Sequence, residues 1–173
     1  MDESEPLRIL LADDHVLFRS GVKAELSAYP HLQVVGEAGD GREAVRLARE
    51  TRPDVVLMDI HMPRCTGLEA VEIVKQEMPQ VRVIMLTVYD DDENLFEAIK
   101  RGADGYLLKN LEPSELLDML GRVMKGEAVV NGKLAARILK EFRKPERPEP
   151  PRAADREDLT AREIEVLERV VAG

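Results

Sequence analysis

With one cysteine, Cys65, among 173 residues, the chain cannot form an internal disulfide, which fits a reducing, cytoplasmic setting. No His/Asp pattern around Cys65 marks it as a nucleophile. Apolar residues make up 44% of the chain, yet no apolar run approaches the roughly 18 residues of a membrane span. The opening "MDESEPLRILL" has neither the basic flank nor the long apolar stretch of a secretory signal. Basic charge is also short, and a net charge of -9 argues against a generic polyanion binder. The deficit is uneven. Residues 1–132 hold 15 basic and 25 acidic side chains, a balance of -10, whereas residues 133–173 hold 10 and 9, a balance of +1. The acidity belongs to the first part, and the tail is a different piece of protein. The length suits one core of ordinary domain size with a small appendage.

Within the acidic part, strand-like and helix-like patterns alternate. "LRILLA" (7–12) is a short apolar run, followed by helical spacing of Val16, Leu17, Val22 and Leu26 from His15 to about Tyr29. "LQVVGEA" (32–38) reads as a strand, and Asp40 with Glu43 as the cap of a helix reaching about Thr51. "DVVLM" (54–58) is the third strand, and Thr66 with Glu69 forms a capping box for a helix that stops at Pro79. "VRVIMLT" (81–87) precedes a helix from about Asp91 to Arg101. "DGYLLK" (104–109) is the fifth strand, and Pro113 suits the first turn of a helix to about Lys125. Five such units with nearly all-apolar central strands predict a parallel sheet covered on both faces by helices.

Folds of this kind place ligands outside the carboxyl ends of the strands. Asp13 and Asp14 follow the first strand, Asp59 the third, Thr87 the fourth and Lys109 the fifth. Right-handed crossovers bring all of these to one edge. Each alone reads as a cap, a turn or a solvated lysine, but together they have a chemical logic. Clustered carboxylates raise one another's pKa unless a cation intervenes, and magnesium suits a site with few protein oxygens and several waters. With a lysine and a hydroxyl alongside, the set points to phosphoryl transfer onto a carboxylate.

The motifs "LLADDH", "VVLMDIHMPRCTGLEA", "VIMLT" and "GADGYLLK", in that order over residues 7–125, resemble the receiver domains of bacterial two-component response regulators. The resemblance implies a flavodoxin-like α/β sheet of five parallel strands in the order 2-1-3-4-5. It implies that Asp59 is the phosphoacceptor, served by a sensor histidine kinase. Asp14 and Asp59 would bind Mg2+ through their carboxylates, His61 through its backbone carbonyl, and Asp13 through water. Lys109 and Thr87 would contact the phosphoryl group, and Thr87 with Tyr106 would form the conformational switch. The side chains of His61 and Tyr89 would tune dephosphorylation. Helices one, four and five are the candidate faces for a homodimer formed on activation. Two positions depart from the common pattern. Val88 is larger than the usual small residue and is expected to shield the site in part. Asn110 replaces a frequent proline, so no cis peptide is carried over.

The receiver is assigned to residues 1–126 and a connecting helix to 127–143, with Asn131 as cap and Leu134, Ile138 and Phe142 on one stripe. Residues 144–158 are proline-rich, with almost no apolar side chains, as in an interdomain linker. From 159 to 173, "LTAREIEVLERVVAG" restarts an amphipathic pattern behind a Thr160–Glu163 capping box. It resembles the first helix of a LuxR-type helix-turn-helix domain, so the helix that enters the DNA groove would lie beyond Gly173. DNA would be reached only through the complete output domain, and no membrane is involved.

The function expected is a phosphoacceptor signalling domain controlling transcription, not an enzyme with its own substrate. A magnesium phosphatase using an aspartyl phosphate would want a second aspartate where His61 stands, and a cap domain for which there is no room. A nucleotide or flavin domain would want a phosphate-cradling loop after the first strand, where Asp13 and Asp14 stand instead. An interaction domain that works without phosphate is the remaining alternative, and phosphorylation itself distinguishes it.

Overall fold

The computed structural model describes residues 5–88, 91–130 and 132–144. In chain order the elements are β1 (Leu7–Ala12), α1 (Val16–Ser27), β2 (Leu32–Ala38), α2 (Gly41–Thr51), β3 (Val55–Asp59) and α3 (Gly67–Glu77). They continue with β4 (Arg82–Thr87), α4 (Asp92–Lys100), β5 (Gly105–Leu108), α5 (Pro113–Met124), β6 (Val129–Val130) and α6 (Gly132–Phe142). All neighbouring strands pair in parallel, in the order β2-β1-β3-β4-β5-β6. The expected order holds for the first five, and the count is corrected from five to six. Val129 and Val130 pair with Gly105 and Tyr106. A two-residue strand is too short to show an alternating pattern, and it falls within the stretch that the sequence assigns to a connecting helix.

Alternation along the strands builds two apolar layers. Ile9, Leu11, Val55, Leu57, Ile84, Leu86 and Leu107 point to one face and pack with Leu26 of α1 and Leu116, Leu120 and Val123 of α5. Leu10, Ala12, Val56, Met58, Val83, Met85 and Tyr106 point to the other, against Ala44 and Ala48 of α2, Val71 and Val74 of α3, and Leu95 and Ala98 of α4. Because both faces are covered, the central strands carry almost no polar side chain until their carboxyl ends.

The local signals act as expected, with small differences. Asp40 Oδ1 accepts from the Glu43 amide, while Glu43 reaches back to the Gly39 amide rather than to Asp40. Thr66 and Glu69 form the reciprocal capping box. Asp59, expected just after the third strand, is the last residue of β3 and pairs with Leu86.

The chain divides into two units, residues 1–138 and 139–173. The second is described from Leu139 to Lys144. Apart from Lys144, the expected linker and output-domain helix lie outside the described residues, as do the expected cap Asn131 and Tyr89. In the first unit, Leu134 of α6 is 2% exposed within the layer that holds Tyr106 and Leu95. Arg137 of the same helix forms an ion pair with Asp92 at the start of α4. The start of α6 is therefore part of the core. Leu134→Ala should cost about 3 kcal/mol, the usual price of deleting a buried leucine. Urea unfolding checks this, and a loss below about 1 kcal/mol would mean that α6 only decorates the surface.

Candidate functional site

The carboxyl ends of β1, β3, β4 and β5 bring five of the expected residues to one edge. Asp13 and Asp59 are 3% and 2% exposed, and Thr87 is fully buried. Lys109 Nζ lies 2.6 Å from Asp13 Oδ2 and 3.1 Å from Asp59 Oδ2, so one ammonium serves two buried carboxylates. The pairing is electrostatic, for neither oxygen gains a well-directed hydrogen bond. The ammonium also sits 4.8 Å from the centroid of the Phe18 ring, a cation–π contact that holds the lysine stem across α1. Asp14 is at the solvent edge of the group.

Burial pushes the Asp59 carboxyl up from its usual range. The nearby Lys109 charge opposes this and the Asp13 charge adds to it. The His61 amide gives a long hydrogen bond of 3.4 Å to Asp59 Oδ1. Backbone close to Asp59 is held tightly. The Gly67 amide donates to the Ile60 carbonyl, and a Cβ at position 67 would overlap the Asp59 carbonyl oxygen. Only glycine allows α3 to start this close to the strand tip.

The loop between β3 and α3 has a second anchor. Arg64 adopts a left-handed backbone, φ 65°, and its guanidinium donates to Asp40 Oδ2 at 2.6 and 3.0 Å. The Asp40 carboxyl is held below its usual range, first by the Glu43 amide and also by Arg64. On the opposite side, Arg19 Nη1 donates to the Asp13 and Ala38 carbonyls and fastens the β1–α1 loop to the end of β2.

Thr87 ends β4, and its carbonyl accepts from the Lys109 amide at 2.8 Å. Tyr106 is 1% exposed, a fully buried aromatic. Its hydroxyl is pushed up to about 12, chiefly by burial, with the Asp91 charge adding and the Thr87 hydroxyl opposing. Val88, expected to shield the site, is itself 62% exposed. No cis peptide occurs among the described residues, and the bond to Asn110 is trans.

His15 is the residue that sequence reasoning missed, since it read only as a helix start. Its Nδ1 lies 3.2 Å from Asp13 Oδ1, 3.2 Å from Asp14 Oδ1 and 3.9 Å from Asp59 Oδ2. Ligand atoms of Asp13, Asp14, His15 and Asp59 all fall within 4.8 Å of one another. The donor set suits a divalent cation. Three carboxylates are grouped, one ammonium pairs with two of them, and two of their oxygens are buried without directed partners.

Residues 9–121 match the response regulator receiver domain family. Over 170 residues the chain is 41% identical to the uncharacterized transcriptional regulatory protein YxjL of Bacillus subtilis, covering 98% of this chain and 77% of that protein. It is 38% identical to the nitrate/nitrite response regulator protein NarL of Escherichia coli strain K12, covering 100% of this chain and 79% of that one. Among solved structures, a LuxR-family two-component response regulator from Aurantimonas sp. SI85-9A1 superimposes with a TM-score of 0.75 at 33% identity. That match covers 81% of this chain and 100% of the other.

Replacing Asp59 removes the burial cost of a charge and should stabilise the fold. A carboxyl whose pKa is raised in the folded state costs stability above that raised value, and the cost disappears below the unfolded value of about 3.8. Asp59→Asn should therefore raise the urea midpoint at pH 7, with the gain shrinking as pH falls towards 4. A lower midpoint for the variant at pH 7 would show that the Lys109 pairing outweighs the burial cost.

Proposed function

The chain belongs to the response regulator receiver family, and from that membership we propose that Asp59 accepts a phosphoryl group from the phosphohistidine of a sensor histidine kinase. The observation that carries this reading is a buried carboxylate at a strand tip, 3.1 Å from a lysine ammonium and beside two further acids. A carboxylate oxygen of Asp59 attacks phosphorus and the P–N bond to the kinase imidazole breaks. The imidazole keeps the electron pair and is left neutral once its proton balance with solvent is restored. No general base is needed, because the attacking group is already an anion when a cation offsets its neighbours.

Asp14 and Asp59 would hold Mg2+ directly, with the His61 carbonyl, and Asp13 would hold it through water. Bound there, the ion supplies positive charge against the phosphoryl oxygens. Lys109 turns from the two carboxylates to the transferred group, and the Thr87 hydroxyl donates to one of its oxygens. Loss of the group is hydrolysis: water attacks phosphorus, inorganic phosphate leaves, and the carboxylate is restored. By the family resemblance, His61 and Tyr89 would tune the rate of that step.

The switch couples Thr87 to Tyr106. The buried Tyr106 ring supports an inward position as one of its two arrangements. The phosphoryl group biases the choice through its contact with Thr87. Tyr106 pairs with Val130, two residues before α6, so a shift of β5 acts directly on the chain leading to the output segment. That segment comprises a linker over 144–158 and the start of a LuxR-type DNA-binding domain over 159–173, consistent with the transcriptional regulators among the relatives. Homodimer formation on activation is the expected output. A docking face for a protein partner is supported on α1, where Val16 and Leu17 are exposed beside a cleft of about 250 Å³ that reaches Lys109. Among the described residues no helix is long and apolar enough to cross a membrane.

Intact mass of the chain after incubation with a small acyl-phosphate donor and Mg2+ tests the reading. The expected outcome is a metal-dependent gain of one phosphoryl group, absent from Asp59→Asn. No gain by the folded wild type, from the small donor or from a kinase, would leave a receiver that works without phosphate.

A further inference from the structure

His15 stands at the N-cap of α1, a position that favours Ser, Thr, Asp or Asn because their side chains satisfy free amides of the first turn. Its side chain makes no such bond. Instead its Nδ1 is turned to the acids, 3.2 Å from an oxygen of Asp13 and of Asp14, and 3.3 Å from Lys109 Nζ. A local rule broken without local gain marks a residue selected for something else.

The distances have a direct chemical reading. On an octahedral shell with bonds of about 2.1 Å, adjacent ligand atoms are about 3.0 Å apart and opposite ones about 4.2 Å. The 3.2 Å separation of Nδ1 from Asp14 Oδ1 matches adjacent positions, and the 3.9 Å separation from Asp59 Oδ2 lies towards the opposite one. The widest separation in the group, up to 4.8 Å, needs to close by roughly half an ångström. Two of the oxygens in the group's carboxylates, Asp13 Oδ2 and Asp59 Oδ2, are buried without a directed hydrogen bond.

We propose that His15 Nδ1 is a protein ligand to the ion held by Asp14 and Asp59, making a mixed nitrogen–oxygen site that prefers first-row divalent transition ions such as Mn2+ over Mg2+. The inference rests on the reading of those acids as a cation site and adds to it the donor that sets the choice of metal. Magnesium gains little from exchanging an oxygen for an imidazole, whereas transition ions bind imidazole well. His15 is 61% exposed at its side chain, so an ion entering from solvent meets it at the rim before it reaches the buried oxygens.

Pulsed electron paramagnetic resonance of Mn2+ bound to the full chain tests this, because a coordinated imidazole imposes its nitrogen coupling on the manganese signal. The chain has only three histidines, which makes the assignment clean. Imidazole coupling is expected in the wild type, in His31→Phe and in His61→Phe, and is lost in His15→Phe. His15→Phe should also weaken Mn2+ binding by about tenfold or more while changing Mg2+ binding less than about threefold. Manganese that binds in an Asp14-dependent way without imidazole coupling would overturn the inference and leave the carboxylate site standing. Manganese binding that ignores Asp14→Ala, or no binding at all, would overturn the carboxylate site as well.

Discussion

One ammonium, that of Lys109, is shared between two carboxylates that the fold buries almost completely, and the rest of the site is arranged around that imbalance. A buried carboxylate is tolerated when a charge and directed hydrogen bonds compensate it. Here the charge is halved between Asp13 and Asp59, and the directed bonds to their Oδ2 atoms are missing. The consequence is a raised Asp59 pKa and a pocket of excess negative charge at the mouth of the sheet. Such a pocket gains from a divalent cation, and in the function proposed a bound cation would release Lys109 to an incoming anion. The same imbalance that costs stability thus makes the site receptive.

The surrounding structure keeps these groups from drifting apart. Asp59 ends a strand that is paired on both sides, and Gly67 lets α3 begin against its carbonyl. Arg19 fixes the loop that carries Asp13 and Asp14, and Arg64 ties the loop after Asp59 to the cap of α2. Each clamp uses backbone carbonyls or a cap, not the site carboxylates themselves, so neither arginine competes for the oxygens of the acids. On the far side of β5, β6 and the start of α6 extend the sheet and its apolar layer beneath Tyr106. The site is in this way continuous with the start of α6.

Much of this was legible from residues whose signals are local or repeated. Apolar strands ending in Asp13, Asp59, Thr87 and Lys109 announced both the sheet and its working edge, because burial on two faces leaves strand ends as the only place for polar groups. Thr66 and Glu69 were equally readable, since a capping box is complete within four residues. Val129 and Val130 were not, because two residues carry no period and their pairing partner lies more than twenty residues back in the chain. His15 was hidden for another reason: a histidine before a helical pattern looks like an indifferent start, and only three dimensions show its ring turned to the acids. Arg64 hid its left-handed backbone because glycine or asparagine, not arginine, signals that conformation in a sequence.

Two buried carboxylates outnumber their one internal cation. The most direct measurement is the urea midpoint of the full chain as a function of Mg2+ concentration, in the wild type and in the Asp13→Asn, Asp59→Asn double variant. Binding to the folded state alone raises stability by mass action, by about 2.7 kcal/mol at a hundred times the dissociation constant. The wild-type midpoint should rise with Mg2+ while that of the double variant, with its charge excess removed, stays flat. A flat wild-type response, or an equal rise in both chains, would show that no such charge excess draws the ion.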